Sequence, residues 1–294
     1  MTWILNHFLI SLCYGSLYLS VLLVWYSKKS FPPLWSIALA SCLLFGLLTK
    51  QISFIAFIPI VLLAFASYFL GKSDSSFKIK IISGLSVAIL GVGLETHYFP
   101  GFNNLKVLNQ IYISQDAIPF TLYLNIDKTI VGLFILAFTL PLIQRKAGWI
   151  KVLKKTWPIA LLTMGIILIP ATYFQFVRFE PKFPESLWLW SFTNLLLVCT
   201  AEECFFRGFI QKYLCLILNK FKGGKTIGII LASLLFGLAH YPGGIQYMLL
   251  ASVAGLGYGW AYQKTKAIEA SILTHFSLNL VHFLFFTYPA LASQ

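Results

Sequence analysis

The sequence has little charge, and most of that charge is of one sign. Only 11% of its 294 residues are Asp, Glu, Lys or Arg, and nine acidic side chains stand against 22 basic ones. A soluble domain carries about 25% charged residues, so an ordinary water-soluble protein is excluded. With 59% hydrophobic residues and a mean hydropathy of +0.82, the sequence predicts an all-α fold, a polytopic membrane helix bundle.

Cysteines in a bridging or zinc-binding pattern are also lacking. The five cysteines lie in or beside apolar stretches, and no two of them form a CxxC pair. Neither a disulfide framework nor a cysteine zinc site is indicated. We interpret the cysteines as small apolar side chains of the helix packing.

What the sequence does contain is a series of long apolar stretches. A membrane span needs about 20 apolar residues, and Pro- and Gly-containing turns separate the stretches. We predict about ten transmembrane helices, at approximately 3–26, 34–49, 52–70, 79–95, 129–143, 157–177, 188–218, 226–241, 245–263 and 267–287.

The basic residues lie mainly on one side of this series of spans. The connections on that side, together with the helix ends that flank them, hold 16 of the 22 basic residues. These connections are 27–33 (with Lys28 and Lys29), 71–78, 144–156, 219–225 and 264–266. The opposite side holds five, and Arg207 lies within a span. Positive residues concentrate in the cytoplasm, so both termini and the aromatic-rich connection 96–128 are predicted to be extracytoplasmic. Anionic lipid, with no nucleic acid, accounts for the basic excess.

Two of the six glutamates are adjacent within one apolar run. Glu202 and Glu203 lie in the span 188–218, where each charge costs about 2.5–3.5 kcal/mol at the membrane centre. On a helix the two point about 100° apart, and Arg207 lies one turn after Glu203. A Glu203–Arg207 pair would leave Glu202 as a desolvated carboxylate, which is a candidate general base. The alternative is a structural ion-pair network.

Two later spans also carry polar groups. His240 closes the apolar run of one of them, while His275 and Asn279 share a face of the last span and His282 lies further along it. Each alone suits an interfacial or helix-packing role. Glu95, at the end of an earlier span, is interpreted as interfacial. Three spans in the last third of the sequence, each with polar groups inside the membrane, together indicate a functional site.

The motifs Glu202-Glu203-x-x-x-Arg207, Phe236-x-x-x-His240 and His275-x-x-x-Asn279 match in order and spacing. Over about 188–287 the sequence resembles the CAAX-processing and bacteriocin-processing (CPBP) intramembrane proteases. The resemblance implies an endopeptidase acting on a membrane-associated protein or peptide, within a helix bundle around a cavity. It assigns Glu202 to activate water, His240 to help hold it, His275 and Asn279 to stabilise the oxyanion, and Glu203 and Arg207 to support them. We therefore assign a catalytic domain to 151–294 and helices without a diagnostic motif to 1–150.

Other functions remain open at this point. Two histidines and a glutamate could ligate zinc, although no HExxH signature is present, so no cofactor is expected. A non-catalytic membrane protein, such as a bacteriocin-immunity or scaffold factor, could keep the polar groups for helix packing. A transporter would predict inverted repeats and broken helices, which the sequence does not show. We expect a multi-pass protein of the plasma (inner) membrane of a prokaryote.

Overall fold

A computed structural model describes residues 2–26 and 32–292, and these ranges form ten helices. The helices are α1 Thr2–Tyr26, α2 Leu34–Leu48, α3 Phe57–Gly71 after a short 3-10 turn, α4 Phe77–Glu95, α5 Ile126–Thr139, α6 Lys146–Tyr173, α7 (187–218), α8 Gly224–Ala239, α9 Ile245–Thr265 and α10 Ile268–Phe285. Each predicted span corresponds to one helix, so the predicted helical bundle is confirmed. Lys28, Lys29 and both terminal residues lie outside the described ranges.

Five helical segments are long and apolar enough to cross a membrane. They are Ile4–Tyr26, Phe54–Gly71, Phe77–Glu95, Lys146–Tyr173 and Ile268–Phe285. The helices Leu34–Leu48 and Gly224–Ala239 are apolar but shorter. Large hydrophobic side chains are exposed along most helices, as expected where lipid replaces water. The chain is an integral membrane protein.

Helix α6 begins earlier than predicted. It has 28 residues and therefore measures about 42 Å, while the hydrocarbon core of a bilayer is about 30 Å thick. Most of the predicted connection 144–156 belongs to its first turns, which carry four of the five basic residues of that segment, while Arg145 precedes the helix. The apolar window marked the membrane-crossing part, but the helix continues beyond it.

The connection between α4 and α5 contains two strands that the sequence did not lead us to expect. Strand β1, Leu105–Ile111, pairs with β2, Phe120–Leu124, in a two-stranded sheet. The residues between them reach the end of the chain, where Ile118 N–H donates to Ala290 O (3.0 Å) and Ala292 N–H to Asp116 O (2.9 Å).

The helices form two compact units that interleave along the chain. The first comprises the described residues up to 106, together with 123–144 and 196–205. In it α1 packs on α2, α3 packs on α4, and α5 contacts α1, α3 and α4. Glycines allow the closest approaches, since a Cβ on Gly71 would lie 1.9 Å from Phe138 O, and one on Gly132 would lie 2.4 Å from Ala201 Cα.

The second unit comprises 107–122, 145–195 and the described residues from 206 onward. Here α6 packs on α9 and α10, and α8 packs on α9. Trp190 at the start of α7 stacks on Phe283 of α10, with ring centres 4.1 Å apart, and donates to the Tyr288 hydroxyl (3.0 Å). The functional division of the chain at residue 150 stays a prediction.

Candidate active site

Helix α7, which carries the glutamate pair, is not a regular α-helix. It is composed of α-helical Leu187–Phe192, π-helical Thr193–Cys199, α-helical Thr200–Glu203, π-helical Cys204–Gln211 and α-helical Lys212–Leu218. π-helical turns pair residues five apart and occur frequently at functional sites. The interval from Glu203 to Arg207 runs through the second π segment, so the regular helical spacing behind their predicted ion pair does not hold there. The pair itself stays a prediction.

Within the first unit, Glu203 is fully buried and Glu202 half-buried. Glu202 lies in the wall of a cavity of ≈ 100 Å³. Its Oε2 atom is buried and, within the described residues, has no hydrogen-bond partner. A buried carboxylate oxygen without a donor is unfavourable, so Glu202 is ready to accept a hydrogen bond.

Apart from Glu202, the polar side chains of this cavity's wall come from residues far from α7 in the sequence. Glu95 ends α4, while Tyr123, Asn125 and Lys128 come from β2 and the start of α5. Glu95 therefore shares a cavity with Glu202, which the interpretation of Glu95 as an interfacial residue did not include. A long-range contact of this kind leaves no local pattern in the sequence.

Just beyond the cavity, a hydrogen-bonded network fixes the start of α5. Asp127 is 1% exposed and its carboxylate binds His97 Nδ1 (2.5 Å) and accepts from Asn104 Nδ2 (2.9 Å). Asn104 Oδ1 in turn accepts from the backbone N–H of Ile126 (2.8 Å). These contacts hold the first turn of α5, and with it Lys128, in one position.

Within the second unit, three of the predicted site residues gather around one aromatic ring. Phe236 lies 4.3 Å from the Arg207 guanidinium, 4.5 Å from the His240 ring and 5.7 Å from the His275 ring, measured to ring centres. Arg207 is fully buried and donates to Gly255 O (3.2 Å). Its charge is further stabilised by the faces of aromatic rings.

Each of the two histidines is held by a neighbour. Nδ1 of His240 lies 2.7 Å from Phe236 O; because a carbonyl oxygen only accepts, Nδ1 carries the proton and Nε2 can accept. The His275 ring is buried and stacks on Tyr258, 4.5 Å between ring centres. Both rings therefore have a defined orientation.

The predicted amide of the site has a partner that sequence reasoning missed. Asn279 Nδ2 donates to Asn194 Oδ1 at 3.2 Å, and Asn194 is buried in the first π segment of α7. In the sequence, the only signal that could have indicated Asn194 was an amide side chain within an apolar run. His282 has a different partner, since its Nε2 lies 3.2 Å from the backbone oxygen of Thr287.

The predicted site residues are divided between the two units. Glu202 and Glu203 belong to the first, and Arg207, His240, His275 and Asn279 belong to the second. Over residues 2–26 and 32–292, no group of three or more His, Cys, Asp or Glu side chains is placed to hold a metal ion.

Comparison with known proteins supports the resemblance seen in the motifs. Residues 184–281 match the family model described as type II CAAX prenyl endopeptidase, Rce1-like. The matched segment includes all six predicted site residues and excludes His282. No curated protein and no solved structure matches the chain. The predicted resemblance is confirmed over this segment, and the matched family is a family of proteases.

Proposed function

We propose that this protein is an intramembrane endopeptidase that hydrolyses a peptide bond in a membrane-associated protein or peptide. The observation that carries the proposal is the occurrence of all three motifs, in order, within the segment 184–281 that matches an endopeptidase family. The apolar helices around that segment supply the membrane setting. A scaffold or immunity factor would have no need of all six polar residues.

In this proposal Glu202 removes a proton from a water molecule, and the resulting hydroxide attacks the carbonyl carbon of the substrate. His240 helps to hold that water through Nε2, since its Nδ1 is bound to Phe236 O. His275 and Asn279 donate hydrogen bonds to the carbonyl oxygen as it gains negative charge. Glu202 then passes its proton to the nitrogen that leaves when the C–N bond breaks.

In this proposal Arg207 and Glu203 support the residues that carry out the reaction. Arg207 is buried against Phe236 and Tyr258, so its position is fixed by packing as well as by charge. Glu203 is fully buried beside Glu202. We assign no metal to the reaction, since a glutamate base and neutral donors suffice for it. We further propose a prokaryotic plasma membrane location with both termini outside the cytoplasm.

The test compares the termini of membrane proteins in cells that produce the wild type, Glu202→Gln, or Glu185→Gln. Glutamine keeps the shape of Glu202 but cannot act as a base. Glu185 is an exposed glutamate outside the site and serves as the matched control. Mass spectrometry should find new protein termini with wild type and Glu185→Gln, and none with a well-folded Glu202→Gln. The same termini in all three strains would contradict the proposal.

A further inference from the structure

The cavity beside Glu202 has an unusual composition for a membrane protein interior. Its wall combines two carboxyl groups, Glu95 and Glu202, with one ammonium group, Lys128, and the polar side chains of Tyr123 and Asn125. The rest of the wall is apolar and comes from α7, with Leu197, Val198 and Ala201. Charged groups at membrane depth are costly and mark functional sites.

The charges in this wall are unequal in number. Glu95 interacts electrostatically with Lys128, Glu202 and Asp127, and Lys128 is the one cation among these partners. Asp127 is already bound by His97 and Asn104. One ammonium group, that of Lys128, thus faces two carboxyl groups in this wall.

Water has room in this cavity. Its volume of ≈ 100 Å³ compares with about 30 Å³ for each molecule of liquid water, and its lining includes five polar side chains. Among the described residues neither Glu95 Oε1 nor Glu202 Oε2 has a hydrogen-bond partner, and both atoms are buried. Buried polar atoms are normally satisfied, which favours water beside these two carboxyl groups.

Close backbone packing keeps the wall in place. A Cβ on Gly132 of α5 would lie 2.4 Å from Ala201 Cα, and one on Gly91 of α4 would lie 2.4 Å from the Phe205 ring. The turn of α7 that carries Glu202 is therefore in direct contact with the two helices that carry Glu95 and Lys128. None of these three elements can shift without disturbing the others.

We infer that Glu95 and Lys128 are positioning residues for Glu202, which lie outside the family-matching segment and hold the base and its water in place within a shared cavity. The inference rests on the proposed function, in which Glu202 is the base. Lys128 brings a positive charge, and Glu95 a second carboxyl group, to the wall that Glu202 shares with them.

The inference can be tested without a substrate. Dicyclohexylcarbodiimide attaches to protonated carboxyl groups in apolar surroundings, and peptide mapping of the purified full-length protein measures its attachment to Glu202 as a function of pH. Lys128→Met and Glu95→Gln remove groups of opposite charge and should therefore shift the pH of half-maximal labelling in opposite directions, upward and downward respectively. Shifts in opposite directions are not expected from a general loss of structure.

Matched controls separate charge from packing. Lys50→Met and Glu185→Gln remove an exposed lysine and an exposed glutamate and should leave the labelling curve unchanged. Lys128→Arg and Glu95→Asp keep the charges and should retain the wild-type labelling curve. These two variants also provide a test if Lys128→Met or Glu95→Gln fails to fold. An unchanged curve in folded Lys128→Met and Glu95→Gln would overturn the inference, as would charge-conserving variants that shift it as far as charge removal does.

Activity measurements distinguish this inference from the proposed function. Once a cleaved substrate is identified, Lys128→Met and Glu95→Gln should lower kcat and leave KM nearly unchanged, because they act on Glu202 and not on substrate contacts. A cleavage that persists in Glu202→Gln would remove the proposed function and leave the labelling result intact. A cleavage that needs Glu202 but is indifferent to Glu95 and Lys128 would remove the inference alone.

Discussion

The side chain of Asn279 is oriented by the hydrogen bond from its amide nitrogen to Asn194. A donor aimed at the carbonyl oxygen acts mainly in the transition state, because only then does that oxygen carry negative charge. We therefore expect Asn279→Ala to lower kcat about 10²–10³-fold with a much smaller change in KM. Steady-state kinetics on an identified substrate measures both.

Asn194 provides the graded comparison for this prediction. Asn194→Ala leaves the donor of Asn279 in place but removes the group that orients it, so its loss of kcat should be smaller. Equal activity of wild type and Asn279→Ala would leave the last helix without its proposed catalytic role.

The proposed mechanism also predicts the response to metal removal. Because Glu202 and the neutral donors carry the reaction, purified protein should keep its activity in the presence of a strong chelator. The measurement is the turnover rate with chelator, followed by addition of zinc. Loss of activity that zinc restores would show that a metal generates the nucleophile instead.

At the scale of elements, the contact between α5 and α7 matters most. A methyl group at position 132 would lie 2.4 Å from Ala201 Cα, so Gly132→Ala must push the two helices apart. We expect a loss of about 1–3 kcal/mol of stability, seen as a lower Tm, and lower activity through displacement of Glu202.

Gly165→Ala is the matched control for Gly132→Ala. Gly165 lies in α6 with nothing within 4 Å of a Cβ placed on it, and alanine is the better helix former. Its Tm should stay the same or rise. A Gly132→Ala protein as stable and active as the Gly165→Ala protein would show that the close approach is not required.

The length of the apolar stretches predicted the helices well, because a membrane span must satisfy its backbone within one continuous apolar segment. It did not predict the two π segments of α7, since these depend on how side chains pack across helices. The β1–β2 pair was not predicted either, because the aromatic-rich connection was interpreted as lying at the membrane interface.

The candidate site was predictable only as far as its motifs extend. Glu202, His240, His275 and Asn279 stand out because polar groups are rare in apolar spans. Glu95 and Asn194 are equally polar but lie outside any motif. Their roles depend on contacts with α7 or α10 that only a folded structure can place.

At the scale of the whole molecule, the distribution of basic residues predicts its orientation in the membrane. We expect the β1–β2 connection to face outward and the start of α6 to face the cytoplasm. In a variant without the five native cysteines, Asn109→Cys should react with a membrane-impermeant maleimide on intact cells. Ile150→Cys should react only after the membrane is permeabilised.

Labelling of Ile150→Cys from outside intact cells would reverse this topology. The two positions belong to opposite ends of the helices, so each serves as the internal control of the other.

The hydrogen bonds between the end of the chain and the β1–β2 connection have a consequence for biosynthesis. Asp116 and Ile118 bind Ala292 and Ala290, which the ribosome adds long after them. The tip of the β1–β2 connection therefore stays without these partners until translation has passed residue 292. Deletion of residues 290–292 should disturb this distant surface before it affects any neighbouring part of the sequence.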